Sequence, residues 1–245
     1  MNGETREAPI GMLQDQIIMI TGASRGIGRA TAMLCAQASA HVIVTARTAQ
    51  GYQCVVEEIR QSGGSAEGVL LDVTHAEHVS QAVDEVISRH QRIDGLVNCA
   101  GIIQYHTPVW QTRIEDWDLM MKVNVRGTFL CCNAVVPKMV ERRSGRVVNV
   151  GSSSARMADD DLGPYTASKW AVAGYTTSLA RSVRPYQVRV NGVNPGWVDT
   201  EMSRAYKPEG DKEWSTPGEI ARAIFYLLTA APRDMTGQFL DIFGS

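Results

Sequence analysis

Short apolar runs alternate along this chain with longer stretches in which apolar residues recur every three to four positions. The runs are "QIIMI" (16–20), "HVIVT" (41–45), "GVLLD" (68–72), "IDGLVN" (93–98), "RVVNV" (146–150), "VRVNGV" (188–193) and "QFLDI" (238–242). Most are apolar throughout rather than alternating, which predicts strands buried on both faces. The helical patterns between them cover about 26–38, 52–62, 76–90, 113–140, 165–184 and 217–230. Thr74 and Glu77 have the spacing of a capping box opening the third helix. Pro217 and Glu219 suit the first turn of the last helix. Repeated βα units predict an α/β fold. Its core is a doubly wound parallel sheet of about seven strands, with helices on both faces and right-handed crossovers. No linker or low-complexity segment divides the 245 residues, so 1–245 reads as one domain.

In such a sheet the ligand sits beyond the carboxyl ends of the strands, near the switch in strand order. Chemistry is therefore expected just after each run. After the first comes "TGASRGIG" (21–28). There Gly22, Gly26 and Gly28 permit a tight turn, and the following helix offers free N–H groups to a phosphate. A cofactor with a free ribose 2′-hydroxyl calls for an acid about 20 residues further on. Position 46 is instead Ala, followed by Arg47, and Arg25 sits in the glycine turn. Two guanidinium groups suit a ribose 2′-phosphate, although both could equally be solvated. Asp72 ends the third run, where it could accept from an adenine amine or open a loop. "NCAG" (98–101) is small enough to pass beneath a cofactor, "GSSSA" (151–155) follows the fifth run, and Pro195 and Gly196 turn the chain in "NPGWVDT" (194–200).

Tyr165 and Lys169 are four apart in "GPYTASKW" (163–170), one turn of a helix. A phenol is a poor acid near neutral pH, and a fixed positive charge beside it favours the ionised form. That makes Tyr165 a candidate proton donor or acceptor; two solvated side chains would show the same spacing.

Composition narrows the function classes. A hydrophobic fraction of 44% is that of a globular protein, and a net charge of −2 gives no pull toward nucleic acid or an anionic membrane. No stretch approaches the roughly 18 apolar residues of a membrane span, and the first residues lack the apolar core of a signal peptide. Five cysteines without C-x-x-C spacing read as reduced thiols, and so as a cytoplasmic protein. The five histidines show no grouping as ligands, and no metal is expected. His75 and His78 share a helix turn, which reads as a solvated helix start.

Taken in order, "TGASRGIG", Asp72, "NCAG", Asn124 in "KVNVRG", the serine run, "YTASK" and "NPGWVDT" resemble the short-chain dehydrogenase/reductase family over about residues 12–243. The resemblance implies a Rossmann-like domain that moves hydride between a nicotinamide and an alcohol or carbonyl carbon. It makes Tyr165 the acid/base and Lys169 its charged partner and ribose ligand. It selects Ser152, thirteen positions before the tyrosine, as the active serine, and gives Asn124 a proton relay through water. The cofactor, NADP(H), would lie against Gly22, Ser24, Arg25, Gly26, Ile27, Gly28, Arg47, Asp72 and Val73. Asn98, Ala100, Gly101, Tyr165, Lys169, Pro195, Gly196, Val198 and Thr200 would complete its site. Within the family it resembles the 3-oxoacyl-[acyl-carrier-protein] reductases, which implies a carbonyl reductase. The alternatives are an NAD(P)-dependent alcohol dehydrogenase working oxidatively and a non-catalytic NADP-binding sensor. The family further implies a homotetramer or homodimer built through the helices at about 113–140 and 165–184. No nucleic-acid or membrane partner is expected.

Three features depart from the family pattern. Cys99 replaces an asparagine, the segment 201–216 is short for a substrate lid, and the tail "DIFGS" lacks paired glycines. Candidate substrate-pocket residues are Ile102, Ile103, Tyr105, Ala155, Met157, Trp197, Met202 and Tyr206. They favour a ketone with a hydrophobic body, while Asp159, Asp160 and Asp161 could meet a polar or cationic substituent.

Overall fold

The computed structural model describes residues 11–104, 107–211 and 213–243. Seven parallel strands form one sheet in the order β3-β2-β1-β4-β5-β6-β7. They are β1 (Ile17–Thr21), β2 (His41–Ala46), β3 (Ser65–Leu70), β4 (Gly95–Asn98), β5 (Gly145–Val150), β6 (Val188–Pro195) and β7 (Phe239–Ile242). The chain reverses its direction of winding between β1 and β4, which opens a crevice at their carboxyl ends.

Along β1, alternate residues serve opposite faces. Ile18 and Ile20 pack into a core with helices α1 (Gly26–Gln37), α2 (Ala49–Gln61) and α8 (Pro217–Thr229). Ile17 and Met19 pack with α3 (Ala76–His90), α5 (Gly127–Glu141) and α6 (Gly163–Val183) on the other side. A strand clothed on both faces has no solvated side, which is why the central runs carry no polar alternation.

The differences from the sequence expectation have local causes. β3 starts at Ser65 rather than 68 because it is an edge strand, where polar residues face water and Leu70 itself is exposed. The single helix expected over 113–140 is α4 (Ile114–Met120), a wide π turn (Met121–Arg126) and then α5. A short helix α7 (Glu201–Tyr206), capped by the Thr200 hydroxyl, lies in the segment read as a lid. The capping box at Thr74 does not form. His75 is the N-cap residue of α3 without a side-chain bond, and the Thr74 hydroxyl donates instead to Asp72 at 2.8 Å. At α8 the Thr216–Glu219 box is complete, with Pro217 in the first turn.

The histidines do group. His41 and His90 meet with ring centroids 4.7 Å apart, beside Glu67. The sequence hides this because the three residues come from different elements.

Candidate active site

The crevice beyond β1 and β4 deepens into a cavity of about 440 Å³, a size suited to a small molecule or cofactor. Its floor is backbone. Gly22 and Gly26 have φ of +63° and +55°, and a Cβ on Gly22 would stand 2.8 Å from Ala100 Cα. A Cβ on Gly28 would stand 2.3 Å from the Gly22 carbonyl oxygen, so Gly28 locks α1 against the turn from behind. Arg25 caps α1 without a side-chain bond, and the first turn carries no acid. The N-terminus of α1, with no acid in its first turn, therefore faces the cavity with the positive end of its dipole, a fit for an anionic pyrophosphate.

The turns beyond the other strands are tied together from within. The Thr21 hydroxyl accepts from the N–H groups of Cys99 and Ala100, both at 3.1 Å. Asn98 turns away from the cavity and donates to Asn149 at 2.8 Å, and Asn149 donates to Thr176 of α6 at 2.8 Å. This buried chain joins β4, β5 and α6. Asp72 reaches the cavity wall. Burial opposes its ionisation, but bonds from the Thr74 N–H and hydroxyl outweigh it and hold the carboxyl below its ordinary range.

Asn124 sits in the π turn, where the widened backbone brings its side chain inward. It accepts from the Ile102 N–H and donates to the Ile102 carbonyl, both at 2.9 Å. It also donates to the Ser168 hydroxyl at 3.0 Å. Wide turns of this kind recur at functional sites. Asn124 is buried and braces the exit of β4 against α6, rather than lining the cavity.

Proline at the start of α6 fixes its entry, and the helix presents Tyr165 and Lys169 to the cavity together. Lys169 is buried, donates to the Val150 carbonyl at 3.0 Å, and has its Nζ 5.4 Å from the centre of the Tyr165 ring. A Cβ on Gly101 would meet both Asn124 Oδ1 and Lys169 Nζ, at 3.3 and 3.8 Å. Ser152 lines the same cavity. Its hydroxyl accepts from the Ser154 N–H and its own N–H donates to Asn194 Oδ1, both at 3.2 Å.

Of the expected cofactor residues, all but Gly28 and Asn98 line the cavity. Arg47 is an exposed wall residue, whereas the Arg25 guanidinium is paired with Glu201 at the start of α7. Ile102, Ile103, Met157, Trp197 and Met202 also line it, with Asp159. Ala155 is buried behind the wall, and Tyr206 packs on Trp197 at 5.0 Å, which in turn stacks on Trp214 at 5.4 Å. Tyr105 lies outside the described residues. Asn194, Thr21, Glu201 and Phe243 were not foreseen. Asn194 and Thr21 carry a signal, a polar residue in a strand buried on both faces.

The family model described as short chain dehydrogenase matches residues 16–211. The chain belongs to this family. The 3-oxoacyl-[acyl-carrier-protein] reductase of a Synechocystis strain is 35% identical over 95% of this chain and 97% of its own length. Cyclopentanol dehydrogenase of Comamonas sp. is 32% identical over 96% and 98%. The crystal structure of a 3-oxoacyl-[acyl-carrier protein] reductase from Brucella melitensis with bound NAD superposes with a TM-score of 0.90. It is 29% identical and the match covers 100% of this chain and 95% of that one.

As a short-chain dehydrogenase this chain is an oxidoreductase of carbonyl or hydroxyl groups that uses a nicotinamide cofactor. The open helix N-terminus and glycine floor fit that cofactor's diphosphate, and the apolar wall opposite fits an organic substrate. No helix among the described residues is long and apolar enough to cross a membrane.

Proposed function

We propose that this chain is an NADPH-dependent carbonyl reductase in which Tyr165 protonates the reduced oxygen. The observation that carries the reading is the meeting of Ser152, Tyr165 and a buried Lys169 in one cavity with the glycine cradle. The cofactor, when bound, supplies the hydride. The cradle residues Gly22, Ser24, Gly26, Ile27, Ala100, Gly101, Pro195, Gly196, Val198 and Thr200 would hold it, with Asp72 and Val73 toward its adenine and Arg47 toward a 2′-phosphate.

Reduction of a ketone leaves charge on its oxygen, and the site must meet that charge with donors and a proton. Ser152 donates to the oxygen. Tyr165 gives up its phenolic proton, and the neighbouring Lys169 ammonium stabilises the negative charge left behind. Asn124 acts through Ile102 and Ser168 as a positioning residue. Its side chain is committed to those partners, so a water relay at Asn124 would run through its main-chain carbonyl.

The substrate class is a ketone with a hydrophobic body, received by Ile102, Ile103, Met157, Trp197 and Met202. One observation favours the oxidative, NAD(H)-using alternative: Glu201 occupies Arg25 and leaves Arg47 as the phosphate-facing cation. The test is a panel of ketones and alcohols assayed with NADPH, NADH and their oxidised forms by nicotinamide absorbance. Reduction of apolar ketones with a preference for NADPH supports the proposal. Comparable efficiency with NADH, or turnover of sugars only, contradicts it.

A further inference from the structure

Three titratable side chains meet at the end of the sheet away from the cavity. His41 opens β2, Glu67 lies in β3 and His90 closes α3. One ligand atom of each lies within 4.8 Å of the others. His41 Nδ1 stands 2.7 Å from the Ser65 hydroxyl, while its Nε2 is buried and has no hydrogen-bond partner. A buried nitrogen without a partner is costly, and a histidine held through one ring nitrogen with the other free is how imidazole is presented to a metal. Glu67 is oriented in the same manner. One carboxylate oxygen is 3.0 Å from His90 Nε2 and the other accepts from Arg89 at 2.8 Å.

The geometry points to a divalent transition-metal site, of Zn²⁺ preference, formed by His41, Glu67 and His90. Two imidazoles and a carboxylate are a zinc donor set, leaving a fourth position for water. Tetrahedral ligands about 2.1 Å from the ion stand about 3.4 Å apart, so atoms now as much as 4.8 Å apart would have to close by up to about 1.4 Å. The metal binds neutral His90 through Nε2, with the ring's one hydrogen moved to Nδ1, so the hydrogen bond to Glu67 is exchanged for bonds to the ion. Arg89 on α3 and Arg60 on α2 bring positive charge nearby, which opposes a cation and sets the expected affinity in the micromolar range rather than below it.

Bound there, the ion ties β2, β3 and α3 together. Ala46, at the other end of β2, lines the cavity about 16 Å along the strand. The role is therefore structural and separate from turnover. Burial, then the charge of His90, holds the His41 imidazole below its ordinary histidine value and so neutral near pH 7. Arg60 and Arg89 act in the same direction, and Glu67 against it. Zn²⁺ binding should weaken as acidity rises, because a protonated imidazole has no lone pair to give the ion.

The test is calorimetric titration of the chelator-treated full chain with Zn²⁺, alongside melting curves with and without the ion. The site predicts one saturable Zn²⁺ per chain and a raised melting temperature. Affinity should drop at least ~10-fold, the cost of losing even an outer partner, in His41→Gln and in His90→Gln. Ser65→Ala should weaken binding more mildly, and His75→Gln and His78→Gln should leave it unchanged. Metal-free His41→Gln that melts and turns over like the unmodified chain would show that the loss is of the ligand and not of the fold. Absence of saturable binding, or binding that survives His41→Gln, would overturn the inference.

Discussion

The side-chain oxygen of Asn194, in β6, accepts from the backbone N–H of Ser152, 3.2 Å away at the end of β5. The Asn194 amide donates in turn to Asp241 of β7 at 2.8 Å. Asn194 is fully buried, and a Cβ on Gly151 would come within 2.1 Å of its oxygen. Replacing Asn194 by Ala strands the Ser152 N–H, while the Asp241 carboxylate keeps Arg156 at 3.3 Å and its contact with solvent. Stability should fall by about 1–3 kcal/mol, and kcat should fall as Ser152 loses its anchor, while cofactor affinity is kept. Melting curves, kcat and cofactor titration together check this; a lowered melting temperature with unchanged kcat would reduce Asn194 to scaffolding.

Glu201 competes for Arg25. The pair is exposed on both sides, so it is weak and readily exchanged for a stronger anionic partner. Glu201→Gln should free the guanidinium and lower KM for NADPH several-fold, with KM for NADH unchanged. Equal effects on both cofactors would show that Arg25 does not meet a 2′-phosphate.

The cysteines should react unequally. Burial pushes the Cys35 and Cys132 thiols up to about 12 and Cys99 up to about 11, and raises Cys131 as well. A thiol held that high stays almost wholly un-ionised at pH 8, and the thiolate is the nucleophile. Only Cys54 is exposed among the five. Iodoacetamide at pH 8 should add one label to the folded chain, at Cys54, and five after denaturation. Mass spectrometry locates the label; rapid modification of Cys99 would contradict this account of the cavity floor.

The helices around the π turn leave Trp117, Leu119, Phe129 and Trp170 exposed, and a groove at Met121, Val125, Phe129 and Tyr175 runs between them. Exposed apolar groups clustered in this way suit contact with a second copy of the chain. Light scattering at micromolar concentration should give a multiple of 26.8 kDa, and Phe129→Glu should shift it toward the single chain. A single-chain mass for the unmodified protein would contradict the assembly.

Much of the fold is legible in the sequence because burial on both faces writes continuous apolar runs into β1, β2, β4, β5 and β6. The edge strand β3 is blurred by the polar residues it can afford to expose. The π turn is hidden because 3.6-residue periodicity runs through 113–140 with no glycine or proline at Asn124 to break it. The Tyr165–Lys169 pair and the glycine turn are readable because their spacing is local. Asn194 with Ser152, Glu201 with Arg25 and His41 with His90 are not, since each joins residues brought together only by packing. The Thr74 box failed because the helix begins one residue later, with His75 as N-cap, and Asp72 holds both the Thr74 N–H and its hydroxyl.

The central claim is that the Tyr165 phenol moves the proton. Tyr165→Phe keeps the ring beside Lys169 and removes only the hydroxyl. The decisive measurement is reduction of a ketone accepted by the unmodified protein, followed by nicotinamide absorbance at saturating NADPH, with cofactor binding to the variant measured separately. The account predicts NADPH binding as before and turnover slower by at least ~100-fold, the low end for a positioned acid. Turnover near that of the unmodified protein would contradict it.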